Sequence, residues 1–454
     1  MSFNPLALIL TLVGAYMLIK LRAFFILHPI RTFLKLIKTV KGKNQIKALT
    51  LALAGTLGVG NVFGVCLGII IGGKGSVFWL FVSCIFACVL KYSEVVISFD
   101  NLSFNRYGAC GGMAHTLYVT FKRHGLGLAY IYAFFCMMMS LVMGSALQAG
   151  TVSETVTELF DIKPVIIGII FATITLVSIF RGVKIIEKIT LIAIPLTTIV
   201  YIIVTGSIIL GGFSRIPELT QEIIRDAVKP QGCFGGALSF LFSRGMKEGF
   251  SRGILSNEAG SGTSSMAHSR SGILNPAGAG LMGIVEVVFD TGILCMLTAY
   301  SVLLTVPDTS VFKTGMSLIL YSVEITLGRG FTIAIFVSVL IFAYSTVVCW
   351  YYYGESSFLF MFKGRGRLIF LFLFVLSVFL GTLTDMLLLV SLTDIFMLVL
   401  TVLTLSVIIK KSDRIKFLSE KGGLINSNSI KESGSSNIRR RVRKQFSQAS
   451  RPRR

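Results

Sequence analysis

Two glycine-bracketed interruptions inside long apolar runs, Gly58-Val59-Gly60-Asn61 and Gly260-Ser261-Gly262-Thr263, constrain this chain more than any other feature. Glycine weakens a helix by about 1 kcal/mol relative to alanine. Backbone released from a helix at membrane depth is tolerated only where it is buried in protein or lines a cavity. The breaks lie 202 residues apart, and broken helices at matching positions of two halves point to a secondary transporter with its site near the midplane. Small residues at four-residue spacing also serve close helix packing, so both uses of these glycines stay open at this point.

The duplication recurs at other landmarks. Gly112-Met113 and Gly315-Met316 are 203 residues apart, as are Gly125-x-Gly127 and Gly328-x-Gly330. The same offset carries the apolar runs at 128–150, 164–180 and 188–211 onto those at 331–353, 367–383 and 391–409.

With 54% hydrophobic and 14% charged residues over 454 positions and a mean hydropathy of +0.81, the chain cannot hide its apolar surface in one soluble core. It reads as an all-α polytopic membrane protein with about eleven transmembrane helices. The spans fall near 5–20, 46–72, 76–98, 128–150, 164–180, 186–211, 250–268, 277–304, 331–353, 366–384 and 388–409. The first has its basic residues after it, at Lys20, Arg22 and Arg31, which is the wrong polarity for a cleaved signal and makes it a retained helix. The expected organisation is a first helix and basic loop over 1–45, one five-helix repeat over 46–211, a connector over 212–248, a second five-helix repeat over 249–409 and a basic, disordered tail over 410–454. Five is odd, so the second copy enters the membrane upside down, a five-plus-five inverted repeat.

Basic loops set the orientation. Arg31, Lys35, Lys38, Lys41, Lys43 and Lys47 cluster before and at the start of the second span, and Arg181, Lys184 and Lys188 lie between the fifth and the start of the sixth. These loops are expected on the cytoplasmic side of the cell membrane, with the N-terminus outside, the connector extracellular and the tail inside. The tail holds fourteen Lys or Arg against three acids, half of the formal net charge of +22. An anionic lipid surface explains such a tail better than nucleic acid does, because no recognition fold stands beside it. The eight cysteines show no disulfide framework, and no nucleophile–base, phosphate-loop or metal-enzyme pattern appears, so an enzyme and an organic cofactor are not expected.

The candidate chemistry lies at the breaks. Unwinding the first would turn amide N–H groups near Gly58 and Gly60 toward a carboxylate and carbonyls toward a cation, with Asn61 adding a neutral oxygen. The second is polar throughout, Ser256-Asn257-Glu258-Ala259-Gly260-Ser261-Gly262-Thr263-Ser264-Ser265, and Glu258 is either functional or a helix cap. Lys91 and Glu94, one turn apart, read as an ion pair at the membrane interface. Asp290, with Glu286 one turn earlier, is a possible proton site or the partner of a basic residue such as Arg244, Lys247 or Arg252.

The chain resembles the alanine or glycine:cation symporter family, also called sodium:alanine symporters. The resemblance rests on Gly58-x-Gly60-Asn61-x-x-Gly64, Gly72-Gly73-x-Gly75-x-x-Phe78-Trp79, Lys91-Tyr92-x-Glu94, Arg252-Gly253-x-x-Ser256-Asn257-Glu258-Ala259-Gly260-x-Gly262, Ala267-His268, Asp290-Thr291 and Ser345-Thr346-x-x-x-Trp350-Tyr351-Tyr352-Tyr353-Gly354-Glu355. It implies the inverted fold of leucine-type sodium symporters and uptake of a small neutral amino acid, such as alanine or glycine, driven by Na⁺ or H⁺. It would place Na⁺ between carbonyls near Ala54 and Leu57 and the hydroxyls of Ser345 and Thr346. The substrate carboxylate would meet the first break, with Gln148, Gly260, Gly262 and Trp350 around the pocket. A Ser-Thr pair inside a helix also commonly bonds its own backbone one turn back. Val59, Phe63 and the stretch Gly111-Gly112-Met113-Ala114-His115-Thr116 depart from the family pattern. A rival reading is a transport-inactive membrane sensor or partner-binding subunit signalling through its basic tail.

Overall fold

A computed structural model describes residues 5–39, 50, 53, 55–105, 108–110, 112–181, 183–229, 243–268 and 275–425. The described residues are helical almost throughout, as membrane-spanning backbone must be where the bilayer offers it no partners. Among the described residues, six helices are long and apolar enough to cross a membrane, and several shorter apolar helices accompany them. A short hairpin, Ser103–Asn105 against Gly108–Cys110, is the exception.

The elements that position the site are these. Helix α1 (Pro5–Lys20) is followed by the amphipathic α2 (Pro29–Thr39), which occupies part of the stretch expected as a loop. After the first break come α3 (Phe63–Gly72) and α4 (Gly75–Asp100), then α5 (Met113–Phe121). Helices α6 (Gly125–Leu141) and α7 (Gln148–Phe160) are joined by a π-wound turn, Val142–Leu147. Helices α8 (Pro164–Arg181) and α9 (Val183–Gly211) lead to α10 (Ile216–Ala227), which lies in the connector. In the second half, α11 (Arg244–Asn257) and the short α12 (Ser264–His268) flank the second break. Helices α13 (Pro276–Val287) and α14 (Met296–Thr305) are joined by a second π-wound stretch, Val288–Cys295. Then follow α15 (Gly315–Leu327), α16 (Arg329–Met361), α17 (Arg367–Gly381), α18 (Met386–Lys410) and α19 (Ser412–Lys421).

Close packing holds the second broken helix in place. Gly245, Gly249 and Gly253 make a four-residue stripe on α11 that lets it lie against α4, a small-residue contact suited to a medium where lipid tails remove the hydrophobic drive between helices. A side chain at Gly249 would come within 2.7 Å of Trp79 Cβ and 2.8 Å of Leu80 N.

One expectation about the C-terminal end changes. The stretch from 410 is not wholly an unstructured tail, because 412–421 is helical and buries Ile415 and Leu418 on one face. Arg414 donates two bonds to Asp100, both at 2.8 Å, and the hydroxyls of Tyr92 and Ser419 meet at 2.7 Å. Residues 426–454, including the Arg-rich clusters, lie outside the described residues. The connector, in turn, caps the turn between α3 and α4: Asp226 accepts from Gly75 N at 2.8 Å and Trp79 Nε1 donates to Ala227 O at 3.3 Å.

Candidate functional site

At the first break the helix stops at Leu57, whose amide still bonds Leu53 O at 2.7 Å. Gly58 is extended, a single tight turn covers Val59–Asn61, and α3 resumes at Phe63. The released backbone is met by Gln148, which sits where the π-wound turn hands over to α7. Gln148 Oε1 accepts from Val59 N at 3.3 Å, and its Nε2 donates to Met143 O at 3.1 Å. The buried amide is thus satisfied by main chain on both sides, as desolvation requires.

Thr346 on α16 faces the same point. A Cβ built on Gly58 would lie 2.8 Å from Thr346 Oγ1 and 3.3 Å from Gln148 Oε1, so Gly58, Gln148 and Thr346 converge. The Thr346 hydroxyl is buried and has no hydrogen-bond partner among the described residues. Its neighbour Ser345 donates to Phe342 O at 2.9 Å. The expected pair of hydroxyl ligands therefore divides, with Ser345 spent on its own helix and Thr346 aimed at the break. Ala54 lies outside the described residues.

Asn61 points elsewhere. Its Nδ2 donates to Asp290 Oδ1 at 2.6 Å and to Asp290 O at 3.2 Å, leaving Asn61 Oδ1 buried and without a partner among the described residues. Asp290 also accepts from Thr291 Oγ1 at 2.9 Å and from the Ser256 hydroxyl. Among the described residues its hydrogen-bond partners are all neutral, so of the two readings the one with a basic partner is not the one found. Arg252 instead joins Glu248 and Asp394, both at 3.1 Å. Thr298 Oγ1 reaches the Asn61 carbonyl at 2.9 Å, so the π-wound stretch and α14 grip both ends of this residue.

The two breaks touch. A Cβ on Gly60 would sit 3.2 Å from Ser256 Cα and 3.3 Å from Leu255 O, so the first break lies on the end of α11. The first-break glycines face different partners, Gly58 side-chain oxygens and Gly60 backbone.

The second break is stabilised by carboxylates. Glu258 adopts left-handed backbone, φ 54°, and its amide closes α11 on Ile254 O at 2.8 Å. Its side chain does more than cap: Oε1 accepts from Trp350 Nε1 at 3.0 Å and Oε2 from Thr263 Oγ1 at 2.7 Å. Trp350 packs on Gly144 in the π-wound turn and stands edge-on to Tyr353, centroids 5.4 Å apart. Gly260 and Gly262, at φ 81° and 82°, are in the conformation that side chains resist. Their amides both donate to Glu94 Oε2 at 3.0 Å.

Lys91 and Glu94 are consequently not an interfacial pair. Both are fully buried; Lys91 Nζ donates to Asn257 O at 2.6 Å and pairs with Glu286 Oε1 at 3.2 Å. Glu286 Oε2 meets His268 Nε2 at 3.0 Å. Burial drives this arrangement, since neither group could face lipid unpaired. Sequence reasoning missed this network and the two π-wound stretches. Its available signal was two ionisable residues one turn apart inside an apolar run.

Crossing helices with two contiguous breaks and buried polar side chains gathered on them define a helical membrane transporter. Comparison with known proteins agrees. The fold is similar to that of a crystal structure of the Eremococcus coleocola manganese transporter, with a TM-score of 0.52 and 12% identity, covering 89% of this chain and 91% of that one. The model of the sodium:alanine symporter family matches residues 1–417, and the chain belongs to that family. It is 30% identical over 372 residues to the sodium/alanine symporter AgcS of Methanococcus maripaludis, covering 78% of this chain and 80% of that protein. It is 27% identical over 332 residues to the sodium/proton-dependent alanine carrier protein of Bacillus sp. strain PS3, covering 70% and 73%. The amino-acid carrier protein AlsT of Bacillus subtilis is 27% identical over 358 residues, covering 75% and 74%.

Proposed function

We propose that this protein takes up a small neutral amino acid, alanine or glycine, by symport with Na⁺ through alternating access. The observation that carries the reading is the Thr346 hydroxyl, buried without a partner among the described residues and facing the extended backbone at Gly58. Every bond a buried hydroxyl forgoes costs about 1–3 kcal/mol, and a cation seated among Thr346 and the carbonyls of the first break would recover it. Neutral oxygens hold a monovalent ion weakly enough to release it each cycle. The substrate carboxylate would then face the amides of the first break, with Gln148 and Trp350 as walls. Trp350 ties that wall to Glu258, so closure over the substrate is coupled to the second break. Ion and substrate each raise the other's affinity, as linkage requires.

The five-plus-five inverted repeat is part of this proposal. Its support is the recurrence of helix starts in the same order: Gly75 and Pro276, Met113 and Gly315, Gly125 and Arg329, Pro164 and Arg367, Val183 and Met386. The proposed orientation places Lys20 and Asp413, ion-paired at 2.7 Å, on the cytoplasmic face with the basic tail near anionic lipid. The test is uptake of labelled alanine and glycine into proteoliposomes under a Na⁺ gradient, a proton gradient or neither. Accumulation with Na⁺ alone is expected. Accumulation under the proton gradient alone would overturn Na⁺ coupling and move the coupling step to Asp290 or Glu286.

A further inference from the structure

Helix α18 contains five hydroxyl side chains, and they divide in two. Ser391, Thr393 and Ser406 each bond a carbonyl of their own helix, at 2.7, 2.8 and 2.6 Å. Such back-bonding is the ordinary fate of Ser and Thr inside a membrane helix. Thr401 and Thr404, one turn apart, do not follow it: both hydroxyls are buried and lack a partner among the described residues. They lie where α18 passes the second break. A Cβ on Gly262 would come 2.8 Å from Thr404 Oγ1, and one on Gly260 would come 3.7 Å from Thr401 Cγ2.

The arrangement repeats the one at the first break, where a Cβ on Gly58 would come 2.8 Å from the unpartnered Thr346 hydroxyl. The second break adds a charge. Glu94 takes the Gly260 and Gly262 amides on Oε2, while its Oε1 is buried with no partner. Lys91, the nearest cation in sequence, is committed to Glu286 and Asn257. Glu94, Glu258, Glu286 and Asp290 are all buried around the breaks, against Lys91 and His268. Lys91 is near enough to act on Glu94 as well, but its charge is shared with Glu286 and it makes no hydrogen bond to Glu94 Oε1, and a buried carboxylate oxygen without a hydrogen-bond partner is costly in a membrane interior.

We propose that a second Na⁺ binds at the second break, held by Glu94 Oε1 and the hydroxyls of Thr401 and Thr404. Three oxygens, one of them charged, are the hard donors an alkali cation takes, and thiol or imidazole ligands are not needed. The ion would neutralise Glu94 and brace the left-handed turn through Gly260 and Gly262. Coupling at this site rests on the symport reading above, but binding does not.

The test counts ²²Na⁺ bound at saturation to the full-length protein in lipid nanodiscs, with thermal melting as the check of folding. The wild type is expected to bind one more Na⁺ than the Thr401→Val, Thr404→Val double variant, which keeps side-chain shape and removes both hydroxyls. Glu94→Gln, which still accepts from the two glycine amides, is expected to lose the same ion and serves if the double variant does not fold. Thr346→Val is expected to lose the other ion only. Equal counts in the wild type and these second-break variants would overturn the proposal, and would mean that water or a proton occupies the position. The extra ion without Na⁺-driven uptake would keep this site and remove the coupling. Na⁺-driven uptake with no extra ion would do the reverse.

Discussion

The two breaks differ in chemistry more than in shape. The first is lined by neutral groups: the Gln148 amide on Val59 N, the Thr346 hydroxyl over Gly58 and the Asn61 side chain beside it. The second is held by carboxylates, with Glu94 on two glycine amides and Glu258 bridging Thr263 and Trp350. Neutral oxygens give up an ion or substrate cheaply, whereas a buried carboxylate demands a counter-charge at all times. Under the proposed function the first break serves turnover and the second a durable connection to α4, α16 and α18.

The largest effect should come from unbalancing the charged side. Lys91→Met leaves Glu286 buried beside Ser264 and His268, and removing one partner of a buried pair costs about 3–5 kcal/mol. A large fall in melting temperature and in folded yield is expected, with partial recovery when Glu286→Gln is added. A variant as stable as wild type would mean that the network does not carry the second break. Trp350→Phe comes next, since it removes the indole donor to Glu258, a charge-assisted bond worth about 1.5–3 kcal/mol. Reduced alanine uptake with normal membrane insertion is expected, and unchanged transport would show that the two breaks work independently.

Asn61→Ala tests the contact between the breaks from the neutral side. Asp290 would keep Ser256 and Thr291, so the fold should survive while Na⁺-dependent uptake falls. The smallest effect is expected outside the membrane, at Lys74 and Glu222, paired at 2.6 Å and part-exposed. Their hydrogen bond holds the Glu222 carboxyl below its usual range. Its contribution is present above the ordinary carboxyl range and fades as pH falls through the lowered value. Glu222→Gln should change melting temperature little at neutral pH and not at all in acid, because water screens an exposed pair.

Both breaks and their spacing were legible in the sequence, and the resemblance to the family set Gln148 and Thr346 beside the first. Glycine in an apolar run and a buried amide are local signals, readable without knowing what packs beside them. The charged network was not legible. Lys91 meets Asn257 across 166 positions and Asn61 meets Asp290 across 229, and no residue type at one end specifies the other. Spacing alone made Lys91 and Glu94 an ion pair, because i to i+3 neighbours on a helix usually interact. The folded chain instead turns each toward a different segment of the second break. The same limit applies to α19, whose charged composition hid the apolar pair Ile415 and Leu418 that anchors it.

The most direct measurement is the Na⁺ concentration dependence of alanine uptake in Thr346→Val set beside Ser345→Ala, in proteoliposomes of matched protein content. Removing the unpartnered hydroxyl should raise the Na⁺ needed for half-maximal uptake by about tenfold, the effect of one lost ligand bond. Ser345→Ala should leave it near wild type, since that hydroxyl is already spent on Phe342 O. Wild-type Na⁺ dependence in Thr346→Val would contradict the placement of the transported ion at the first break.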